Sequence, residues 1–219
     1  MYKIKDILDL EHTIAKEYLE SFEYPHEALS GIAELTVRLG NALDKDEYDE
    51  ISPQVWVSKS AKVAPSAYIA PPCIIGPGTE VRHCAFIRGS VIVGESAVVG
   101  NSTELKNAII FDSVEVPHFN YIGDSILGYK SHMGAGSITS NVKSDKKNIV
   151  IHTPEGDFET GLFKMGAILG DYAEVGCNSV LNPGTIVGRC SNVYPLSSVR
   201  GVVPSECIYK AKGDIVRKK

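Results

Sequence analysis

Residues 85–105 read AFIRGSVIVGESAVVGNSTEL, and within them Ile87, Val93, Val99 and Leu105 stand six apart. The same step runs back through Val81, Ile75, Ile69, Val63 and Val57, forward to Phe111, and again through Leu169, Val175, Leu181, Val187, Val193 and Val199. Four residues after most of these positions comes a small or β-branched residue, as at Ala61, Ala67, Cys73, Thr79, Ala85, Val91, Ala97 and Thr103. A helix repeats about every 3.6 residues and a pleated strand about every 2, so neither holds a six-residue beat in one phase for so long. A hexapeptide repeat does. Each hexad then supplies one short strand and a turn, the aliphatic residue pointing inward and the small one sharing the interior. Three sides close a coil, and coils stack at about 4.8 Å. The pattern predicts a mainly β chain folded as a three-sided parallel β-solenoid. Glycines directly after the inward residue, such as Gly76, Gly94, Gly100, Gly134 and Gly176, are expected to relieve backbone strain at the corners.

Composition narrows the function classes. At 219 residues, 22% charged and 43% hydrophobic, the chain suits one soluble globular unit with a small appendage. A net charge of −5 argues against nucleic acid as the main partner. The opening MYKIKDILDLEHTIAKEY is charged throughout and lacks the uninterrupted apolar run of a signal peptide or membrane span. A cytoplasmic protein with no membrane partner is expected. The five cysteines, Cys73, Cys84, Cys177, Cys190 and Cys207, form no CxxC pair, so free thiols and no metal centre are expected.

Residues 1–50 read as a helical segment. Ile4, Ile7, Leu8, Ala15, Tyr18, Leu19 and Phe22 fall near one face, and Leu29, Ile32, Leu35, Leu39 and Leu43 follow Pro25, which suits a first helical turn. Two amphipathic helices are predicted, with packing or oligomerisation as their ordinary role. The run DKDEYDE reads as a solvated link to a solenoid domain over residues 51–219.

Regularity breaks within VPHFNYIGDSILGYKSHMGAGSITSNVKSDKK, residues 116–147. Position 117 is due an aliphatic residue but carries Pro117, followed by His118, before Ile122 and Leu127 resume the pattern. The slip predicts a loop pushed out of the coil, and loops on rigid scaffolds are where chemistry tends to sit. Through this segment the chain resembles, over roughly residues 55–219, the left-handed β-helix family of hexapeptide-repeat acyltransferases. Within that family it is most similar to the acetyltransferase domain of the bifunctional N-acetylglucosamine-1-phosphate uridylyltransferases and their archaeal sugar-1-phosphate relatives. The resemblance implies a left-handed coil, acetyl-CoA as co-substrate, an amino-sugar phosphate as acceptor and a homotrimer.

Position by position, the family's catalytic histidine, which opens a H-x-x-Y-x-G-D motif, falls on His118, with Tyr121, Gly123 and Asp124 also matched. The resemblance assigns sugar-phosphate contacts to Lys106 and Lys147 and a phosphate-binding role to Arg88. It puts a carboxylate near the histidine at Glu104, the asparagine facing substrate and acetyl group at Asn141, and a backbone N–H facing the thioester oxygen at Ala135. His132 stands where the family often has an asparagine, as either a substrate contact or a polar corner. Cys177 lies near where the pantetheine arm arrives, although a packed thiol is the ordinary reading. In the basic tail, Lys210, Lys212, Arg217 and Lys218 are candidates for the CoA phosphates or simply solvated charges.

These residue types also suit the chemistry. Acyl transfer to an amine needs a base, for which an imidazole is fitted, and Glu104 is placed to orient the ring. The thioester oxyanion needs a fixed donor, which a Gly-Ala-Gly turn can present. A sugar phosphate needs cations, which Arg88, Lys106 and Lys147 supply. No nucleophilic serine or cysteine adjoins His118 in the motif, so direct transfer without a metal is expected.

Two departures stand out. Val142 replaces the family's tyrosine after its asparagine, and residues 148–166 read as a protruding hairpin insertion around Thr153-Pro154-Glu155-Gly156-Asp157. The glycine-rich nucleotidylyltransferase half is not expected, since the first fifty residues hold only Gly31 and Gly40. Three other classes remain open at this level: an O-acyltransferase, a non-catalytic sugar-phosphate binding or assembly subunit, and a zinc carbonic anhydrase on the same scaffold. The last is disfavoured, because His83, His118 and His132 lack the close spacing it needs.

Overall fold

The computed structural model describes residues 1–218 and shows the expected three-sided parallel coil. On the first face Val55 pairs with Cys73 and Cys73 with Val91, eighteen residues on at each step. The second face stacks Lys62 on Glu80 and Glu80 on Val98. The third stacks Tyr68 on Phe86 and Phe86 on Glu104. Three hexads per coil explain the pairing, and the inward row Val57, Ile75, Val93, Ile110, Leu127, Leu169 and Val187 fills the interior of the first face.

The slip is not at position 117 but at two corners on either side of it. Val93 stacks on Ile110, not Phe111, and Ile110 on Leu127, so two successive coils have seventeen residues instead of eighteen. Each loses its residue at the corner between faces three and one. No loop is extruded there, because the strands Glu104–Ile110 and Tyr121–Leu127 run through the tightened corner. Asn107 and Asp124 take the left-handed conformation that this bend requires, with φ of 47° and 49°. Short polar side chains tolerate that region best after glycine.

The glycines after the inward residues do not serve as left-handed hinges; those positions fall mainly to Ser90, Ser96, Ser102 and their equivalents. What these glycines answer is crowding. A Cβ on Gly100 would run into the Pro117 carbonyl of the next coil, and one on Gly94 would meet the backbone of Phe111 and Asp112.

On the first face the outward row is apolar as well: Trp56, Ile74, Ile92, Ile109, Ile126, Ile168 and Ile186 are all buried. The N-terminal segment packs over this face. It is more broken than two regular helices. Short turns at Ile4–Ile7, Leu10–His12 and Lys16–Glu20 follow the coil surface, and only Pro25–Gly31 with Ile32–Ala42 forms a long helical rod. The breaks serve anchoring. Asp9 caps one turn and donates its N–H to the fully buried Asp171 carboxylate at 2.8 Å; that carboxylate also accepts from Tyr129 N–H and pairs with Arg189. Asn107 reaches the Leu29 carbonyl at 3.1 Å, and the Tyr2 hydroxyl accepts from Ser205 N–H at 2.7 Å.

The acidic link also differs from expectation, because Tyr48–Ser52 forms an antiparallel pair with Val55–Ser58 and buries Tyr48. The basic tail is likewise folded: Cys207–Ala211 continues the second face and turns back into Asp214–Arg217. The inserted hairpin, Val150–Thr153 with Gly156–Glu159, does not protrude freely. Ile149 and Ile151 are fully buried, and Ile149 and the Val150 backbone press on Gly184. Phe158 packs edge-on to His26 of the N-terminal segment at 5.4 Å between ring centroids. Among the described residues no helix is long and apolar enough to cross a membrane.

Truncating the covered row tests this architecture. Ile92→Ala should lower stability by about 2–5 kcal/mol, the usual range for a buried large-to-small change, read as a lower urea midpoint at unchanged slope. A pH effect is expected at the hairpin junction. His26 is buried with Nδ1 unpartnered, and burial holds its imidazole below the usual histidine range despite the adjacent Glu27 charge. The unfolded chain takes up that proton below about pH 6.5 while the native site resists it, so stability should fall as pH drops from 7 toward 5. His26→Phe should flatten that fall in Tm; equal slopes in both proteins would contradict the assignment.

Candidate functional site

Stacking in register lines up residues that are far apart in sequence. At the corner between faces two and three, His118 stacks on Asn101, and the Gly136 N–H donates to the His118 carbonyl at 3.0 Å. That bond sets the Gly134-Ala135-Gly136 turn one coil beyond the histidine. Asn178 N–H in turn bonds the Ala135 carbonyl at 2.8 Å, bringing Cys177 to the same corner one coil further on. His118, Ala135 and Cys177 therefore form a column spaced at about the 4.8 Å coil repeat.

Asn120, which the sequence reading did not single out, fixes this corner. It is 3% exposed; its Oδ1 accepts from His118 N–H at 3.1 Å, and its Nδ2 donates to the carbonyls of Gly134 and Ser137 at 2.9 and 3.0 Å. Its signal was visible as an asparagine in the inward row of small residues shared with Thr103 and Ser137. A buried amide there is tolerable only because its hydrogen-bonding capacity is met. The His118 side chain is exposed and, among the described residues, makes no hydrogen bond or ion pair. The Ala135 N–H likewise donates to no acceptor among the described residues. Cys177 is exposed, and its sulfur lies over Gly134, where a Cβ would approach it to 3.0 Å.

Glu104 does not orient the histidine ring. It points outward from face three, and its carboxylate bonds Arg88 on the preceding coil at 2.8 Å, the nearest opposite charge on that surface. At the far edge of the same face, Lys106 Nζ lies 3.7 Å from the Asp124 carboxylate, which is nearly buried. Asp124 also accepts from the side-chain amides of Asn107, at 3.0 Å, and Asn141. The Asn141 amide nitrogen is 3.2 Å from the Tyr121 hydroxyl. Burial first, and then the charges of Asp124 and Glu104, push the Tyr121 phenol up, so it stays protonated.

The structure thus brings Arg88, Glu104, Lys106, Tyr121 and Asn141 together on face three and its far edge, and puts His118 and Ala135 at the near edge. The other candidates lie apart. Lys147 sits on an exposed turn, its N–H bonded to Asp145 at 3.1 Å. His132 points from face two, stacked between Glu115 and Glu174, and lines a groove of about 340 Å³ with Cys177, Tyr194 and Ile208. Lys212 is exposed at the bend of the terminal hairpin. Among the described residues no three His, Cys, Asp or Glu side chains gather as a metal site. His83 bonds Ser66 at 3.0 Å and stands two coils from His118, while His132 lies at the opposite end of face two, stacked on Glu115.

Comparison with known proteins adds a family. The family described as the GMPPB C-terminal domain matches residues 72–191, more than half of the chain. A bifunctional sugar-1-phosphate nucleotidylyltransferase/acetyltransferase of Sulfurisphaera tokodaii is 29% identical over 42% of this chain and 23% of its own length. A bifunctional protein GlmU of Methanococcus maripaludis is 32% identical over 52% of this chain and 28% of its own. An uncharacterized acetyltransferase, YaiX, of Escherichia coli is 30% identical over 52% of this chain and 50% of its own. The chain thus spans about a quarter of the bifunctional relatives and half of the third. Among solved structures, a hexapeptide transferase family protein from Anaplasma phagocytophilum shares the fold, with a TM-score of 0.50 and 17% identity over 75% of this chain and 80% of that one.

Thiol accessibility checks the corner geometry. In the native protein Cys84 and Cys177 should react with Ellman's reagent, whereas the fully buried Cys73, whose thiol burial pushes far up, should react only after unfolding. Peptide mapping by mass spectrometry reads the sites, and prompt modification of Cys73 would contradict the packing.

Proposed function

The chain belongs to the GMPPB C-terminal domain family, and from that premise we propose that it transfers an acetyl group from acetyl-CoA to the amine of an amino-sugar 1-phosphate or close relative. The acetyltransferase names of the relatives support the reaction class. The observation that carries the mechanism is the column of a His118 imidazole and an Ala135 N–H, both without partners among the described residues, and the exposed Cys177.

In this reading the acceptor amine attacks the thioester carbonyl, forming the C–N bond. His118 takes the amine proton, the Ala135 N–H stabilises the oxyanion, and the C–S bond then breaks to release CoA, which leaves as the thiol with the proton returned. Cys177 and the groove beside it border the path of the pantetheine arm, and Lys212 is a contact for the CoA phosphates. Tyr121 and Asn141 hold the acceptor. Arg88, Lys106 and Lys147 serve its phosphate, the first two by exchanging their carboxylate partners for phosphate oxygens. Acyl transfer from a thioester proceeds without a metal ion.

The two edges of face three are a face apart, so a second copy of the chain is needed to bring an imidazole to the acceptor pocket of its neighbour. A homotrimer, with acyl-CoA in the groove between solenoids, satisfies this, and a cytoplasmic location suits the co-substrate. A second reading, a non-catalytic sugar-phosphate binding or assembly subunit, draws on the Arg88–Glu104 pair, which leaves the His118 ring without an orienting carboxylate.

Release of free CoA thiol from acetyl-CoA, across glucosamine 1-phosphate, galactosamine 1-phosphate, free glucosamine and hydroxyl acceptors, separates the two. Turnover confined to amino-sugar 1-phosphates is the expected result. His118→Ala should then lose about 10²-fold or more in kcat with the fold intact, as for removal of a general base. Full activity in that variant would sink the mechanism, and silence across the panel would favour the second reading.

A further inference from the structure

The corner shared by faces three and one holds a carboxylate given no part so far beyond its pairing with Lys106. Asp124 is 5% exposed and sits where the coil loses a residue. Its two oxygens are divided between amides from the coils on either side: Oδ1 accepts from Asn107 Nδ2 at 3.0 Å, and Oδ2 accepts from Asn141 Nδ2. Lys106, 3.7 Å from Oδ2, adds the compensating charge.

An ionised carboxylate only accepts hydrogen bonds, so an amide beside it must turn its NH₂ toward it. Asn141 therefore has no freedom to flip. Its Nδ2 is taken by Asp124 and the Tyr121 hydroxyl, and its Oδ1 has no partner among the described residues and is open to solvent. Because the Tyr121 oxygen accepts from that same nitrogen, its own proton is left to donate outward.

We propose that Asp124 is a positioning residue for the acceptor: it locks Asn141 with its carbonyl oxygen outward beside the Tyr121 O–H, so that the pocket reads a hydrogen-bond donor next to an acceptor. A vicinal amine and hydroxyl on a sugar ring present that pair. Recognition of the sugar ring then rests on this neutral pair, while Arg88 and Lys106 serve the phosphate. Asn107 completes the device by holding the other carboxylate oxygen and bonding the Leu29 carbonyl, which ties the orientation of Asn141 to the docked N-terminal segment.

This inference rests on the acyl-transfer reading, and its test uses two readouts to keep the two apart. The first is NMR of the Asn141 side-chain amide in the full-length protein. Its two Nδ2 protons should be well dispersed in the wild type and collapse toward free-amide positions in Asp124→Asn. The second is kinetics with the best acceptor of the panel. Asp124→Asn should raise the acceptor KM about tenfold or more, as expected for loss of a charge-assisted hydrogen bond, with the acetyl-CoA KM within about twofold of wild type. The exchanged double variant D124N/N141D should not recover that loss, since a carboxylate at 141 can only accept, takes the Tyr121 proton inward and leaves no donor facing the acceptor. A merely structural role would move both KM values and stability together. An unchanged acceptor KM in an active Asp124→Asn protein, or an Asn141 amide already averaged in the wild type, would overturn the positioning role. A dispersed wild-type amide that collapses in Asp124→Asn, in a protein that turns over no acceptor, would support the lock and overturn the acyl-transfer reading instead.

Discussion

Everything in this molecule depends on closing a triangle with three strands of two or three residues each. A side so short leaves room inside for one aliphatic side chain and one small one, and the next coil must repeat the choice directly above because its backbone bonds to the first. The sixfold beat, the inward aliphatic row and the crowding that forces glycine at positions such as 100 are consequences of that closure. So is the candidate site. Residues at matching corners of successive coils lie about 4.8 Å apart whatever their distance along the chain, and this sets His118, Ala135 and Cys177 in one column.

The constraint also explains how much could be read from the sequence. The interior is periodic, so the coil and its sides were legible from the row that includes Ile87, Val93, Val99 and Leu105. The seventeen-residue coils were misplaced because Phe111 happens to continue the beat, while the pairing of Val93 with Ile110 reveals the missing corner residue. The covering of face one was missed although its signal was present: one hexad of most coils reads as an unbroken apolar triplet, VIV at 91–93, AII at 108–110 and AIL at 167–169, and the central isoleucine is free to be apolar only if something lies over it. The broken helices of the N-terminal segment were not legible, because Asp9 and its neighbours bend to meet Asp171, a partner 162 residues away.

At the site, the sequence supplied the residue types and left their partners open. Arg88 and Lys106 read as free cations because a sequence does not show which carboxylates stand one coil away; Glu104 and Asp124 do, and the local charge sums to zero. Asn120 and Asn107 went unnoticed for the opposite reason, being ordinary polar residues whose importance comes from burial and from what they touch. The resulting surface has a polar, hydrogen-bonded edge and an exposed imidazole edge, separated by the width of one face.

The N-terminal segment bears on how the molecule comes apart. A stack in which each coil touches only its neighbours behaves as a one-dimensional array, free to fray from either end or to open in the middle. Here a single strap runs across that array. It reaches from Ser205, bonded by Tyr2, through Asp171, held by Asp9, to Asn107, held against Leu29, and these contacts span 203, 162 and 78 residues. No group of coils beneath the strap can open without releasing some of these bonds and exposing the isoleucine row they cover. The strap thereby turns a set of loosely coupled repeats into one cooperative unit, and native-state hydrogen exchange along the first face becomes a property of the whole chain and not of each coil alone.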